Sequence, residues 1–158
     1  MIHIVEVAGP DEKSGICNDV LRALPSWFGI ESSIVDYVAD TRPMPFFAVY
    51  DDGRAIGFAA IKRHNPYTAE VYVMGILEAY HRQGLGRKLI ALCLQYCTDN
   101  KIEFLTVKTL DASGNSESYD KTRSFYLSAG FRPLEVFPLH WDESNPCLFM
   151  AMHVPSPS

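Results

Sequence analysis

The most constraining stretch of this chain is the passage through residues 69–98. An extended run, Ala69-Glu70-Val71-Tyr72-Val73-Met74-Gly75-Ile76, gives way to a short turn with Gly84 and Gly86, and an amphipathic segment starts at once. Leu85, Leu89, Ile90, Leu92, Cys93, Tyr96 and Cys97 recur at helical spacing, which predicts a helix over 84–98 with one apolar face. A strand, a turn and a helix in immediate succession call for a layered, mixed α/β arrangement. A helix N-terminus also presents unpaired N–H groups and partial positive charge, so it is a ready seat for an anion. Glycine lets the backbone come close to such an anion. Arg82, Arg87 and Lys88 add positive charge at the same place. The turn is not a P-loop, because no Gly-Lys-Ser/Thr follows. It is not a dinucleotide fingerprint either, because Leu89 stands where a third glycine or alanine belongs.

The remaining punctuation supplies the other elements. Ile2, Ile4 and Val5 predict a first strand, and Gly9-Pro10-Asp11 starts a helix over 11–24. A second helix, 31–40, follows the run Leu24-Pro25-Ser26-Trp27-Phe28-Gly29, whose aromatics either cap the core or line a lid. Strands at 46–50 and 55–61 flank Asp51-Asp52-Gly53, a strong hairpin signal. A strand at 104–107, a polar stretch, and a helix over 118–129 stopped by Gly130 come next. Strands at 131–138 and 147–153 enclose a loop containing Trp141, Asp142 and Glu143. The tail 155–158 is expected to fray. The order β-α-α-β-β-β-α-β-α-β-β has no repeat or linker, and 158 residues suit one domain over 1–154.

Charge is unevenly distributed around a net of −5. Residues 1–41 carry −5, residues 42–132 carry +3, and residues 133–158 carry −3. The sum excludes a general nucleic-acid binder. The apolar runs fall well short of the ~20 residues that span a bilayer. The N-terminal residues have neither a basic n-region nor a long apolar h-region, so secretion is not expected. Cys17, Cys93, Cys97 and Cys147 have no metal-binding spacing and read as reduced, mostly buried thiols of a cytoplasmic protein. Cys93 and Cys97 read as core residues, and His64 and His140 as isolated.

In its turn, His81-Arg82-Gln83-Gly84-Leu85-Gly86, the chain resembles the GNAT superfamily of N-acetyltransferases, whose pyrophosphate turn reads Gln/Arg-x-x-Gly-x-Gly/Ala. A second motif matches in Phe125-Tyr126-Leu127-Ser128-Ala129-Gly130-Phe131. Two departures stand out: His81 occupies the Gln/Arg position, which acts largely through its backbone amide, and Tyr119 occupies a position where many members have Asn. The resemblance covers roughly 45–153. It implies a central, mostly antiparallel, twisted sheet of six or seven strands with a parallel central pair, flanked by about four helices. It also implies acetyl-CoA as the acyl donor, with no metal.

Acetyl transfer to an amine requires removing a proton from an ammonium of pKa near ~10, stabilising an oxyanion, and protonating a departing thiolate. The resemblance assigns Tyr126 to the thiolate. It places the pantetheine amides on the backbone of Met74, Gly75 and Ile76, and the phosphates on residues 81–87, with Arg82 and Arg87 as cations. Its histone-acetyltransferase members carry a glutamate base eleven residues before the turn's first position, which is Glu70 here. Strand alternation puts Glu70, Tyr72 and Met74 on one face. A plain alternative pairs Glu70 with a base such as Lys62 or Arg63, and many members of the superfamily use a water chain as the base instead. The acceptor pocket is expected from 24–32, 70–72 and 139–146, with Trp27, Phe28, Tyr72, Trp141 and Asp142 lining it. Glu31, Asp142 and Glu143 would draw a cationic amine. The expected partners are a small-molecule amine and coenzyme A, with no nucleic acid and no membrane, and with room for a homodimer. Two other readings stay open: acetylation of a protein or peptide amine, and a silent acyl-CoA-binding regulatory domain.

Overall fold

The computed structural model describes residues 1–156. Its strands are β1 (Ile2–Glu6), β2 (Phe46–Asp51), β3 (Arg54–Arg63), β4 (Thr68–Ile76), β5 (Phe104–Leu110), β6 (Arg132–Asp142) and β7 (Asn145–His153). Its helices are α1 (Pro10–Arg22), α2 (Glu31–Asp40), α3 (Leu85–Asp99) and α4 (Glu117–Ala129). The seven strands form one sheet in the order β1-β2-β3-β4-β5-β7-β6. β4 pairs with β5 in parallel, while the β1–β2, β2–β3, β5–β7 and β6–β7 pairs are antiparallel. This is the mixed, mostly antiparallel fold with an internal parallel pair that the sequence led us to expect.

The chain divides into two compact units. The first, Met1–Lys62 with Val71–Cys93, is built on α1, α2 and the β2–β3 hairpin. Asp52 and Gly53 both have positive φ, +48° and +83°, the backbone of a tight hairpin turn that follows strand twist. α1 opens with Pro10 at its first turn, acids Asp11 and Glu12 beside it, and Arg22 in its last turn, which complements the helix dipole. Its apolar face, Ile16, Cys17, Val20 and Leu21, packs with Leu24 and Ile34 against Phe46, Ala48, Phe58, Ala60 and Val73. Phe46 and Phe58 stack at 5.0 Å, and each is fully buried, worth roughly 1.5–3 kcal/mol apiece. Lys13 is buried in the same helix because its Nζ donates to the carbonyls of Met44 (2.7 Å) and Arg42 (3.4 Å), which ties down the approach to β2. Gly75 is required by close approach. A Cβ there would meet Leu24 Cδ1 at 3.1 Å and Val20 Cγ1 at 3.2 Å.

The second unit, Arg63–Glu70 with Leu94–Ser158, is organised by the β5–β7 ladder, which runs from Phe104↔His153 to Leu110↔Cys147. The parallel ladder is short, with pairs Thr68↔Phe104, Ala69↔Leu105 and Glu70↔Thr106. Ser116 caps α4 by accepting from the Tyr119 N–H at 3.3 Å, and Gly130 closes the helix at φ +112°. Arg123 is buried, with Nη1 donating to the Leu110 carbonyl at 2.5 Å and Nη2 paired with Asp120.

Two boundaries differ from the sequence reading. β5 continues through Leu110 because Lys108, Thr109 and Leu110 pair with β7. The expected 139–146 loop is mostly strand: β6 reaches Asp142, β7 begins at Asn145, and only Glu143 and Ser144 lie between. Asp142 closes that turn with its own carboxylate, Oδ1 accepting from the Ser144 N–H and Asn145 Nδ2 at 2.9 Å each. All four cysteines are free and buried. Of the tail expected to fray, Pro155 and Ser156 have no regular structure, and residues 157–158 lie outside the described residues. Among the described residues no helix is long and apolar enough to cross a membrane.

Candidate active site

In the first unit, the end of β4 leads directly into the glycine turn. The Leu77 N–H donates to the Ile56 carbonyl at 2.9 Å, and one 3-10 turn, Glu78–Tyr80, brings the chain to His81. His81 Nε2 donates to the Ile76 carbonyl at 2.6 Å, so the imidazole folds back over the strand it follows. Its backbone N–H donates to the Glu78 carbonyl at 3.1 Å. The amide expected to face a ligand therefore closes the preceding turn instead. Arg82 (φ +63°) and Gly84 (φ +79°) are both left-handed. A Cβ at Gly84 would touch nothing within 4 Å, so backbone angle rather than space selects glycine there. The Lys88 N–H takes the Gly84 carbonyl at 3.2 Å as the first helical bond, and the N–H groups ahead of it point out of the helix end. Arg82, Arg87 and Lys88 are exposed, and none forms an ion pair among the described residues.

The same unit assembles an aromatic chain. Trp27 meets the His81 ring edge-on at 5.6 Å. Phe28 packs edge-on against Tyr37 at 6.1 Å, and Tyr37 against Tyr72 at 5.4 Å. The Tyr72 hydroxyl donates to Asp40 Oδ2 at 2.5 Å, and Lys62 Nζ lies 5.5 Å over the Tyr72 ring. Phe28 and Tyr72, singled out from sequence, are joined through Tyr37. Tyr37 and Asp40 were missed, although they stand three residues apart on one face of α2, a spacing the sequence does display. Glu31 differs from expectation. Arg22 grips both its oxygens at 2.7 and 2.8 Å, and these bonds hold its carboxyl below the usual range. Its charge is paired with Arg22 at the surface, and Asp40 is the carboxylate beside the aromatics.

In the second unit, Glu70 is buried on β4, and one oxygen, Oε1, takes two donors. His64 Nε2 lies at 2.7 Å and Lys108 Nζ at 3.1 Å. Glu70 is thus paired with a base, as the plain alternative has it, but the base is Lys108 rather than Lys62 or Arg63, and His64 is not isolated. Lys108 lies two residues beyond Thr106, the register partner of Glu70, so both side chains share a sheet face. His64 is fixed by its own short loop: its N–H donates to the Thr68 carbonyl at 3.0 Å, and Asn65 Oδ1 accepts from the Tyr67 N–H at 2.8 Å. Glu70 Oε2 has no protein hydrogen-bond partner among the described residues. This leaves one carboxylate with an anchored oxygen and an open one. Nearby, burial pushes the Cys147 thiol up to about 11, with Lys108 lowering it and Glu70 raising it.

Tyr126 is buried on α4, edge-on to Phe131 at 5.5 Å and tilted against Phe125 at 5.5 Å. The helix stop fixes its backbone, because its carbonyl accepts from Phe131 N–H (3.0 Å) immediately beyond Gly130. Tyr119 lies in the first turn of the same helix. Trp141 and Asp142 stand at the end of β6, not in a loop. His140 stacks obliquely on Trp141 at 5.7 Å. Among the described residues there is no group of three or more His, Cys, Asp or Glu able to hold a metal ion.

Comparison with known proteins follows the same lines. The profile of the Acetyltransferase (GNAT) family matches residues 15–131. An aminoglycoside 6'-N-acetyltransferase, solved as a complex with coenzyme A, is 16% identical with a TM-score of 0.76, and the alignment covers 99% of each chain. A GNAT family acetyltransferase from Elizabethkingia anophelis, solved with acetyl-CoA bound, is 17% identical with a TM-score of 0.69, covering 96% of this chain and 97% of that one. At these identities the likeness is one of fold. The mycothiol acetyltransferase of Corynebacterium efficiens is 38% identical over 48 residues, which is 30% of this chain and only 16% of that relative's length.

Proposed function

The chain belongs to the GNAT acetyltransferase family, and on that premise we propose that it transfers an acetyl group from acetyl-CoA to the primary amine of a small, cationic molecule. The observation that carries this reading is the turn into α3. Two left-handed residues, Arg82 and Gly84, deliver an open helix N-terminus flanked by three unengaged cations. That combination suits the pyrophosphate of coenzyme A. The backbone of Met74, Gly75 and Ile76 would bond the pantetheine arm.

The chemistry assigned to the side chains follows from their surroundings. Glu70 accepts the amine proton at Oε2, while His64 and Lys108 hold Oε1 still. The deprotonated amine then attacks the thioester carbonyl directly. As the tetrahedral intermediate collapses, the C–S bond breaks, the Tyr126 hydroxyl gives its proton to the thiolate, and the second proton leaving the nitrogen as the amide forms restores the phenol. Trp27 forms the acceptor wall together with Phe28 and Tyr72, the last two joined through Tyr37. Asp40 supplies the negative charge, and Lys62 over Tyr72 marks the ring as a face that tolerates a cation. The aminoglycoside in the name of the similar 6'-N-acetyltransferase is in keeping with a small-molecule amine acceptor.

The test is thiol release from acetyl-CoA across aminoglycosides, polyamines, amino acids and short peptides. Turnover should concentrate in the cationic small molecules. Preference for neutral or acidic amines would remove the acceptor assignment. Coenzyme binding with no turnover on any amine would remove the enzymatic one.

A further inference from the structure

Arg82 holds a left-handed backbone, φ +63°, although it is not a glycine. Such a conformation carries strain and persists only where the surroundings impose it. The segment around it can impose little by itself. Glu78–Tyr80 is a single 3-10 turn, a form whose hydrogen-bond geometry is poor, and His81, Arg82, Gln83 and Gly84 are all exposed. Most hydrogen bonds here are local. The Tyr80 N–H donates to the Leu77 carbonyl at 2.9 Å, the His81 N–H to the Glu78 carbonyl at 3.1 Å, and His81 Nε2 to the Ile76 carbonyl at 2.6 Å.

One bond reaches further. The Tyr80 hydroxyl donates to Asp51 Oδ2 at 2.6 Å, across 29 positions of the chain. Among the described residues it is the only hydrogen bond from residues 78–84 to a part of the chain outside 76–88. Asp51 is a firm anchor. It ends β2, pairs with Ile2 of β1 and Arg54 of β3, and leads into the tight turn at Asp52 and Gly53. The bond holds the Asp51 carboxyl below its usual range and raises the Tyr80 phenol, so the anchor stays an anionic acceptor and Tyr80 a donor. Tyr80 is thus fastened to the sheet by the tip of its ring, two residues before Arg82 and four before Gly84. We infer, resting on the coenzyme site proposed above, that Tyr80 is a positioning residue of that site: clamped to Asp51, it holds the turn in the shape that presents the N–H groups of α3 to the coenzyme pyrophosphate.

Calorimetry of the full chain with coenzyme A, at a temperature where every variant is folded by its far-UV spectrum, tests this. Tyr80→Phe and Asp51→Ala should each raise the dissociation constant by about fivefold to tenfold, the scale of one hydrogen bond to a charged group. The double variant should lose no more than either single one, because both remove the same bond. Asp51→Asn, whose amide oxygen still accepts, should keep most of the affinity, which mere removal of a surface charge would not explain. A Tyr80→Phe chain that binds coenzyme A as tightly as the wild type overturns the inference alone. So does a double variant whose losses add, or an Asp51→Asn chain as weak as Asp51→Ala. A wild-type chain that binds no coenzyme A overturns the coenzyme site itself, and the inference with it.

Discussion

Lys108 Nζ lies 3.1 Å from Glu70 Oε1, an ion pair formed just past the last register position of two parallel strands. The carboxylate is almost fully buried, while the lysine is a quarter exposed. Removing the cation therefore leaves a buried charge with only His64 beside it. Lys108→Met should cost about 1–3 kcal/mol of unfolding free energy, and Glu70→Gln in the same chain should recover part of it. Urea denaturation of the four proteins reads the coupling. Strictly additive losses would show that the pair contributes nothing beyond its separate residues.

Tyr126→Phe keeps the ring against Phe131 and removes only the hydroxyl. If the hydroxyl protonates the leaving thiolate, kcat should fall by about a hundredfold. Coenzyme affinity should hardly change. Steady-state kinetics at saturating acceptor, with coenzyme titration alongside, checks this. Unchanged kcat would take Tyr126 out of the chemistry.

Gly84 sits at φ +79° with open space around its missing side chain. Alanine there should be penalised by backbone strain of about 1–2 kcal/mol. Relief of that strain would tilt the N–H groups away from the anion. We expect the coenzyme dissociation constant to rise about tenfold for a loss near 1.4 kcal/mol. The acceptor KM should hold. Calorimetry with coenzyme A measures the first, and initial rates the second.

Burial pushes the thiols of Cys17 to about 12 and of Cys97 and Cys147 to about 11, from an ordinary 9.0. Above that ordinary value the unfolded chain has lost these protons while the folded one retains them. The folded state then binds more protons, so stability falls as pH rises from about 9 toward 11 and is fully present below about 9. Thermal melts should therefore be flat from neutrality to mildly alkaline pH and decline beyond it. Cys147→Ala should flatten part of that decline.

Much of the fold could be read from local punctuation. Asp51-Asp52-Gly53 set the hairpin and Gly130 the end of α4, because both depend on backbone angles that few residues tolerate. The glycine turn was legible for the same reason. The surroundings of Glu70 were not. Lys108 reaches it only through the β4–β5 register, which no local pattern encodes. Glu31 looked available because its partner, Arg22, lies across the α1–α2 connection. The length of β6 was hidden by Asp142, a loop-forming residue in composition that here closes a two-residue connection between strands.

The bond from His81 Nε2 to the Ile76 carbonyl has one more consequence. A carbonyl can only accept, so it fixes the ring as an Nε2–H donor. The end of the strand is thus clasped by a side chain five residues further along the chain. Where the family motif places a glutamine or an arginine, this chain commits the side chain to its own backbone, so the turn carries its own fastener.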